Sequence, residues 1–342
     1  MSRQSATAPQ AFDSQLALPG LGDEWIWAEE EEFVVESFHH ATVMKGEVVA
    51  ALAVTGGGVY VDATLGGGGH AEAILEADAG ARVIGFDRDL VAIQAATERL
   101  TRFGERFVAI HEPFARAREE LLARGVEKVQ GLCADLGISS PQIDDPLRGM
   151  SFRHEGPIDM RMDATRGETA LELIDRLSDD ELADVLFQLG EERRSRRIAR
   201  SIHRALHEGE LHTTADLRRA IVRAVGPVRV GGVDPATRSF QALRIAVNQE
   251  LEELDALLAV LPQILEPGGV AAIISFHSLE DRRVKRAFHQ RDLWAPLTKK
   301  PLIATDEELG LNPRSRSAKL RAARLLSPST PELEDLDEED DG

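Results

Sequence analysis

Between residues 59 and 134, short apolar runs alternate with amphipathic stretches, and this constrains the fold more than any other feature of the chain. Residues 59–63, 82–86, 107–110 and 129–134 are apolar runs of strand length. The intervening residues 70–79, 90–102 and 115–123 read as helices. In the second of these, Leu90, Ile93, Ala96 and Leu100 recur at helical spacing. Strands separated by helices imply a parallel sheet, since consecutive parallel strands need a crossover. The pattern predicts an α/β, Rossmann-like sheet that receives ligands at the C-terminal ends of its strands.

After residue 142 the pattern changes. Residues 143–166 are polar and rich in Gly, Pro and Asp, and helices then dominate. Ser178 to Glu181 spells a capping box ahead of the stripe Leu182, Val185, Leu186 and Leu189, which ends at Gly190. Thr213 to Asp216 opens a second helix, running to Gly226-Pro227. A helix over 246–265 and a strand over 270–275 resume the sheet pattern, and residues 318–326 would close the sheet edge. The expected layout is a discontinuous sheet domain, 38–142 plus 246–326, with an inserted helical domain, 143–245. Segments 1–37 and 327–342 are acidic extensions expected to be disordered.

No apolar run approaches the ~20 residues of a membrane span. Residues 1–22 lack the basic-then-apolar layout of a secretory signal. The single Cys133 excludes an internal disulfide and suits a reduced, cytoplasmic protein. The net charge of −19 argues against nucleic-acid binding only until it is located. Residues 1–32 hold seven acids and one Arg, and residues 331–342 hold eight acids and no base. That leaves 44 acids and 39 bases in residues 33–330, a net of −5. Within this core, residues 193–204 contain six Arg and no acid, and residues 282–291 are also basic. Local patches rather than totals decide phosphate binding, although a solvated helix face has the same composition.

Two features point to a nucleotide-type cofactor. Asp62 to His70 (DATLGGGGH) joins the first strand to the first helix, and its glycines let the backbone approach a ligand. Asp87, 21 residues after Gly66, ends the second strand, where a carboxylate can accept both ribose hydroxyls. NAD and S-adenosylmethionine sites share both. Phe114, after the third strand, can cover a purine ring or start a core helix. Asp135 to Gln142 (DLGISSPQ) then places a carboxylate, two hydroxyls, an amide and a turn proline at the end of strand four. Adenosylmethionine-dependent amino methyltransferases put a polar, Pro-containing motif there around the target nitrogen; hydride transfer needs no such loop.

With these motifs the chain resembles the bacterial family that methylates the N4 amine of one cytosine in 16S ribosomal RNA. The resemblance covers about residues 38–326. It runs through 40–44 (HATVM), 62–70, 86–89 (FDRD), 135–145, 148–152 (RGMSF), 156–163 (GPIDMRMD), 238–244 (RSFQALR), 275–281 (SFHSLED) and 312–317 (NPRSRS). Gly131 stands where relatives often have Asp, and the acidic extensions lie outside the resemblance. The resemblance implies a class I methyltransferase sheet with a helical insertion. It also implies S-adenosylmethionine contacts from Gly68, Gly69, His70, Asp87, Phe114, Asp135 and Gln142. The substrate would be 16S rRNA, or the assembled small subunit, in the decoding region.

Cytosine N4 is a poor nucleophile because its lone pair is delocalised into the ring. Acceptors for its N–H groups would localise that pair, and one must finally take a proton. Asp135 is the favoured acceptor, with the Ser139 and Ser140 hydroxyls as further candidates; turn formation accounts equally for either serine. RNA contacts are expected from Arg153, Arg161, Arg196, Arg197, Arg200, Arg238 and Arg244. For Arg161 and Arg244 an internal salt bridge serves as well. His277 and Glu280 have the spacing of a ligand pair, but the sequence offers no third partner, so no metal is expected; the pair is expected instead to order the loop after the fifth strand, beside the active site. An NAD oxidoreductase, a noncatalytic ribosome-assembly factor and a small-molecule methyltransferase are the rival classes. Oligomeric state is not legible.

Overall fold

The computed structural model describes residues 42–228 and 233–327. Apart from residue 327, both acidic extensions lie outside the described residues. Helix α1 (Lys45–Leu52) leads into β1 (Gly58–Asp62), α2 (Gly69–Ala77), β2 (Ala81–Asp87), α3 (Leu90–Leu100) and β3 (Phe107–His111). Next come α4 (Ala117–Ala123), β4 (Val129–Asp135) and the short α5 (Ser140–Asp144). Five helices follow: α6 (Ala170–Arg176), α7 (Asp179–Gly190), α8 (Ser195–His207), α9 (Thr214–Val225) and α10 (Thr237–Asn248). The chain ends as α11 (Glu250–Ile264), β5 (Leu265–Ser275), α12 (Ser278–Phe288), β6 (Trp294–Pro296), α13 (Asp306–Leu311) and β7 (Lys319–Leu325).

The strands form one sheet in the order β3-β2-β1-β4-β5-β7-β6. The first five are mutually parallel, whereas β7 runs antiparallel to β5 and β6. This is the Rossmann-like sheet that the strand–helix alternation implied. Both faces are covered. Alternate residues of each strand enter different cores: Tyr60, Val83, Ala272 and Leu320 pack with α1, α2 and α3, while Val61, Ile84, Ile273 and Ala323 pack with α4, α11 and α12. A third core, around Ile174, Leu186, Ile198, Leu217 and Leu243, is built from α6 to α10. Capping boxes start α6, α7 and α9 at Thr169, Ser178 and Thr213. None of the described helices is long and apolar enough to cross a membrane.

Two elements differ from the sequence expectation. The helix expected over 246–265 is two helices. Helix α10 ends at Asn248, Gln249 takes a left-handed φ of 50°, and α11 begins at Glu250. Apolar spacing continues across this break through Ile245, Leu251 and Leu254, so periodicity conceals it. What sets the break is tertiary: the Asn248 amide donates to the Met160 carbonyl and accepts from the Met162 N–H, both at 2.7 Å. Residues 318–326 do not close the sheet edge either, because β6 pairs outside β7. Three residues that include a proline carry too little pattern to read as a strand.

The joint between sheet and helical core centres on Asp89, which is 5% exposed. Its Oδ1 accepts from the Val91 N–H at 3.0 Å and caps α3. Its Oδ2 accepts from Gln142 Nε2 at 2.8 Å and from Arg148 Nη2 at 2.5 Å. Asp89→Ala leaves the largely buried Arg148 side chain, 14% exposed, without its counter-ion, so a loss of about 3–5 kcal/mol is expected in urea unfolding. A loss under about 1 kcal/mol would mean that the joint does not depend on this ion pair.

Candidate functional site

One cavity opens at the C-terminal ends of β1, β2, β4 and β5, lined by the loops that follow them. The loop after β1 is shaped by its glycines. Gly68 sits at φ 78°, and an added Cβ would come within 3.0 Å of Leu100 and 3.3 Å of Ala96 on α3. At Gly69 a Cβ would fall 1.7 Å from Thr42 Oγ1. Gly69 lines the cavity, whereas Gly68 supports the loop from behind. Asp62 lies beneath, fully buried, accepting from the Thr64 N–H at 3.3 Å and the Ala71 N–H at 3.1 Å. Burial pushes its pKa up to about 7.

Asp87 ends β2 with both oxygens engaged by backbone. Oδ2 accepts from the Gly66 N–H at 2.8 Å and Oδ1 from the Asp89 N–H at 2.9 Å. Each oxygen keeps a lone pair for a further donor. Burial, only partly offset by those hydrogen bonds, raises the Asp87 pKa to about 6. Phe114 opens the turn after β3, packs against the sheet core and lines the same cavity.

Asp135 ends β4, anchored by its N–H donating to Thr64 Oγ1 at 2.6 Å. Its Oδ2 lies 3.6 Å from His70 Nε2. Its Oδ1 and both ring nitrogens of His70 are buried without a hydrogen-bond partner among the described residues. Burial works against the imidazolium, but Asp135 and Asp62 outweigh it, and the His70 pKa is raised. A buried carboxylate oxygen left unpaired costs free energy, and such groups in native proteins call for a ligand or another explanation.

The DLGISSPQ segment does two jobs. Ser139 caps α5, its Oγ accepting from the Gln142 N–H at 3.4 Å, while Gln142 Oε1 accepts from the Ser139 N–H at 3.0 Å. Gln142 Nε2 is spent on Asp89, so its amide holds the loop as well as facing the cavity. Ser140 starts the helix and also lines the cavity. Gly69, His70, Asp87, Phe114, Asp135, Ser139, Ser140 and Gln142 therefore meet in one place, as the sequence grouped them.

Glu280 also lines the cavity, and so do residues that sequence reasoning missed: Thr42, Glu250, Phe276, Asn312 and Arg314. Most fall inside motifs already singled out, but nothing in the pattern assigned them to the cavity. Glu280 is 3% exposed and accepts from the Phe276 N–H at 2.8 Å and the His277 N–H at 3.3 Å. Burial would raise its pKa; the His277 hydrogen bond and the Arg244 charge reverse this and lower it. Glu250 supplies the third partner that the sequence did not offer, since ligand atoms of Glu250, His277 and Glu280 lie within 4.8 Å of one another. Arg244 already grips Glu250 with two hydrogen bonds, at 2.7 and 2.8 Å, so the cluster is an ion-pair network that holds the loop after β5.

The arginines expected at RNA divide into two groups. Arg161 forks onto Asp159 at 2.9 and 2.7 Å, and Arg244 onto Glu250, so both serve internal pairs. Arg153, Arg196, Arg197, Arg200 and Arg238 are exposed. The three on α8 lie opposite its buried Ile198, Ala199 and Ile202 and form no ion pair among the described residues. None of the seven lines the cavity.

Known proteins share this chain's sequence over its whole core. It is 64% identical over 287 residues to the ribosomal RNA small subunit methyltransferase H of Sorangium cellulosum (strain So ce56), covering 84% of this chain and 91% of that protein. It is 49% identical over 289 residues to the protein of the same name from Picosynechococcus sp. (strain ATCC 27264 / PCC 7002 / PR-6), covering 84% and 97%. Residues 37–326, the span that builds the sheet, the helical core and the cavity between them, match the MraW methylase family, and the chain belongs to that family.

Proposed function

We propose that the protein transfers a methyl group from S-adenosyl-L-methionine to the N4 amine of a cytosine in the decoding region of 16S rRNA. The observation that carries this reading is Asp135, which lines the cavity together with the glycine loop and Asp87 and whose buried Oδ1 has no hydrogen-bond partner among the described residues. The residues present fit the cofactor. The loop at Gly69 has no space for a side chain, Asp87 keeps two acceptor sites for ribose hydroxyls, and Phe114 offers a face for adenine. When bound, S-adenosylmethionine supplies an electrophilic methyl group on a sulfonium.

This chain's residues supply position and a proton acceptor. Asp135 Oδ1 accepts one N–H of the amine, which localises the nitrogen lone pair toward the methyl group and aligns it for in-line attack. Methyl transfer would leave the nitrogen positive, and Asp135 would take the proton it sheds. His70, 3.6 Å away, stabilises the carboxylate beforehand. The Ser139 and Ser140 hydroxyls border the same space, with Ser139 chiefly holding α5. A cytosine reaches this cavity only out of its stack, from an unpaired loop or by flipping. The rRNA substrate is supported by the names of the relatives, which are small-subunit RNA methyltransferases. The experiment is transfer of labelled methyl to small subunits from cells lacking the activity; no label in the RNA would refute the proposal.

Asp87→Ala should weaken S-adenosylmethionine binding by about 1.5–3 kcal/mol, the worth of charge-assisted hydrogen bonds. The raised Asp87 pKa of about 6 adds a pH signature. Ribose hydroxyls favour the ionised carboxylate, so affinity in the wild type falls as pH drops through that value, and the variant loses this dependence. Calorimetry across the range checks both; unchanged affinity in the variant would remove Asp87 from the site.

A further inference from the structure

Residues 312–317 have no part in the chemistry above, yet they form cavity wall: Asn312 and Arg314 border the space that Asp135 and Ser139 face. The segment is a 3-10 turn, Pro313–Ser317, between α13 and β7. It is firmly built. The Asn312 side chain accepts from the Arg314 N–H at 3.2 Å. Ser315 is fully buried, and its hydroxyl and N–H donate to the Asn312 carbonyl at 2.7 and 3.0 Å. Behind the turn, Glu308 of α13 accepts from the Met44 N–H at 2.7 Å.

Against this rigid base, the Arg314 guanidinium has an easily replaced partner. It donates to Asp144 at 2.6 Å, with the two side chains 36% and 60% exposed. Asp144 is the last residue of α5, the helix capped by Ser139. The pair therefore bridges the catalytic loop and the turn. An exposed pair of this kind contributes about 0–1 kcal/mol. A phosphate competes well for it, since a guanidinium meets phosphate oxygens with two parallel charge-assisted bonds. Arg316, two residues on, is exposed and makes no ion pair among the described residues. A base extruded into a pocket carries its flanking phosphates to the pocket mouth.

We propose that Arg314 is an RNA-phosphate site, exchanging Asp144 for a phosphodiester that flanks the nucleotide whose base sits against Asp135. This rests on the RNA substrate proposed above. It differs from the α8 arginines in bordering the cavity, so it positions the reacting nucleotide as well as binding RNA.

The test compares wild type, Arg314→Ala, Arg314→Lys, Asp144→Asn and the Asp144→Asn/Arg314→Ala double variant. The readouts are small-subunit binding over a salt series, single-turnover methyl transfer, and S-adenosylmethionine binding by calorimetry. Arg314→Ala should weaken subunit binding about 10-fold and reduce the salt slope by about 0.7, the value for one single-strand phosphate contact. Transfer at saturating subunit should also slow in Arg314→Ala and recover in part in Arg314→Lys. Asp144→Asn should tighten binding, and the double variant should lose that gain. Cofactor affinity should stay at the wild-type value throughout. Wild-type binding and slope in Arg314→Ala would overturn the proposal, as would an Asp144→Asn gain that persists without Arg314. So would a loss confined to cofactor affinity, which would make Arg314 a cofactor ligand. If wild type labels no RNA, the functional reading fails instead, and the binding comparisons still decide the role of Arg314.

Discussion

Asp135→Asn is expected to lower single-turnover methyl transfer by about 100-fold or more, while S-adenosylmethionine affinity changes by less than about 10-fold. Asparagine keeps the shape and one acceptor oxygen but replaces the other with an N–H₂ donor. Donor would then face donor at the amine, and no carboxylate would remain to take the proton. The asymmetry follows from the site: Oδ1 has no hydrogen-bond partner among the described residues, and Oδ2 faces His70. Neither feature concerns ribose or adenine, for which the proposed partners are Asp87 and Phe114. Rapid-quench measurement at saturating cofactor separates the two quantities. A near-normal rate would take Asp135 away from the nitrogen.

Reversing Arg196, Arg197 and Arg200 together to Glu should weaken small-subunit binding by about 100-fold at physiological salt and flatten its salt slope by about 2, at ~0.7 per lost single-strand contact. These side chains are exposed, while Ile198, Ala199, Ile202 and Ala205 bury the opposite face of α8, so the helical core should survive the change. Cofactor affinity should not move, because none of the three borders the cavity. Filter binding across a salt series provides the check. Wild-type affinity and slope would make this face merely solvated and place the RNA surface elsewhere.

The parts of the fold legible in the sequence were those where local pattern and tertiary structure agree. The βαβ alternation marks β2 and β4 because their central residues are buried on both faces and so form apolar runs, and it marks the edge strand β3 by its apolar residues although Val108 is exposed. Ser178 and Thr213 announce α7 and α9 because a capping box is a local device. The break at Gln249 was hidden because its cause, the Asn248 amide on Met160 and Met162, lies 86 to 88 residues away in sequence. The site divides in the same way. The residues at the ends of β1, β2 and β4 line one cavity because sheet topology brings strand ends together. Glu250 and Arg314 reach the cavity from α11 and the turn before β7, a convergence that no spacing rule foretells. For Arg161 and Arg244 the sequence left RNA contact and an internal salt bridge equally open, and Asp159 and Glu250 hold them in internal pairs.

The proposed activity of the Asp135 cavity is methylation of the exocyclic amine of one rRNA cytosine. Its most direct test is to incubate unmodified small subunits with labelled S-adenosylmethionine and this protein, digest the RNA, and map the label by mass spectrometry to a nucleotide and an atom. The predicted result is a single N4-methylated cytidine in the decoding region, absent with Asp135→Asn. Label on a ring carbon, on a ribose hydroxyl or on another base would contradict it.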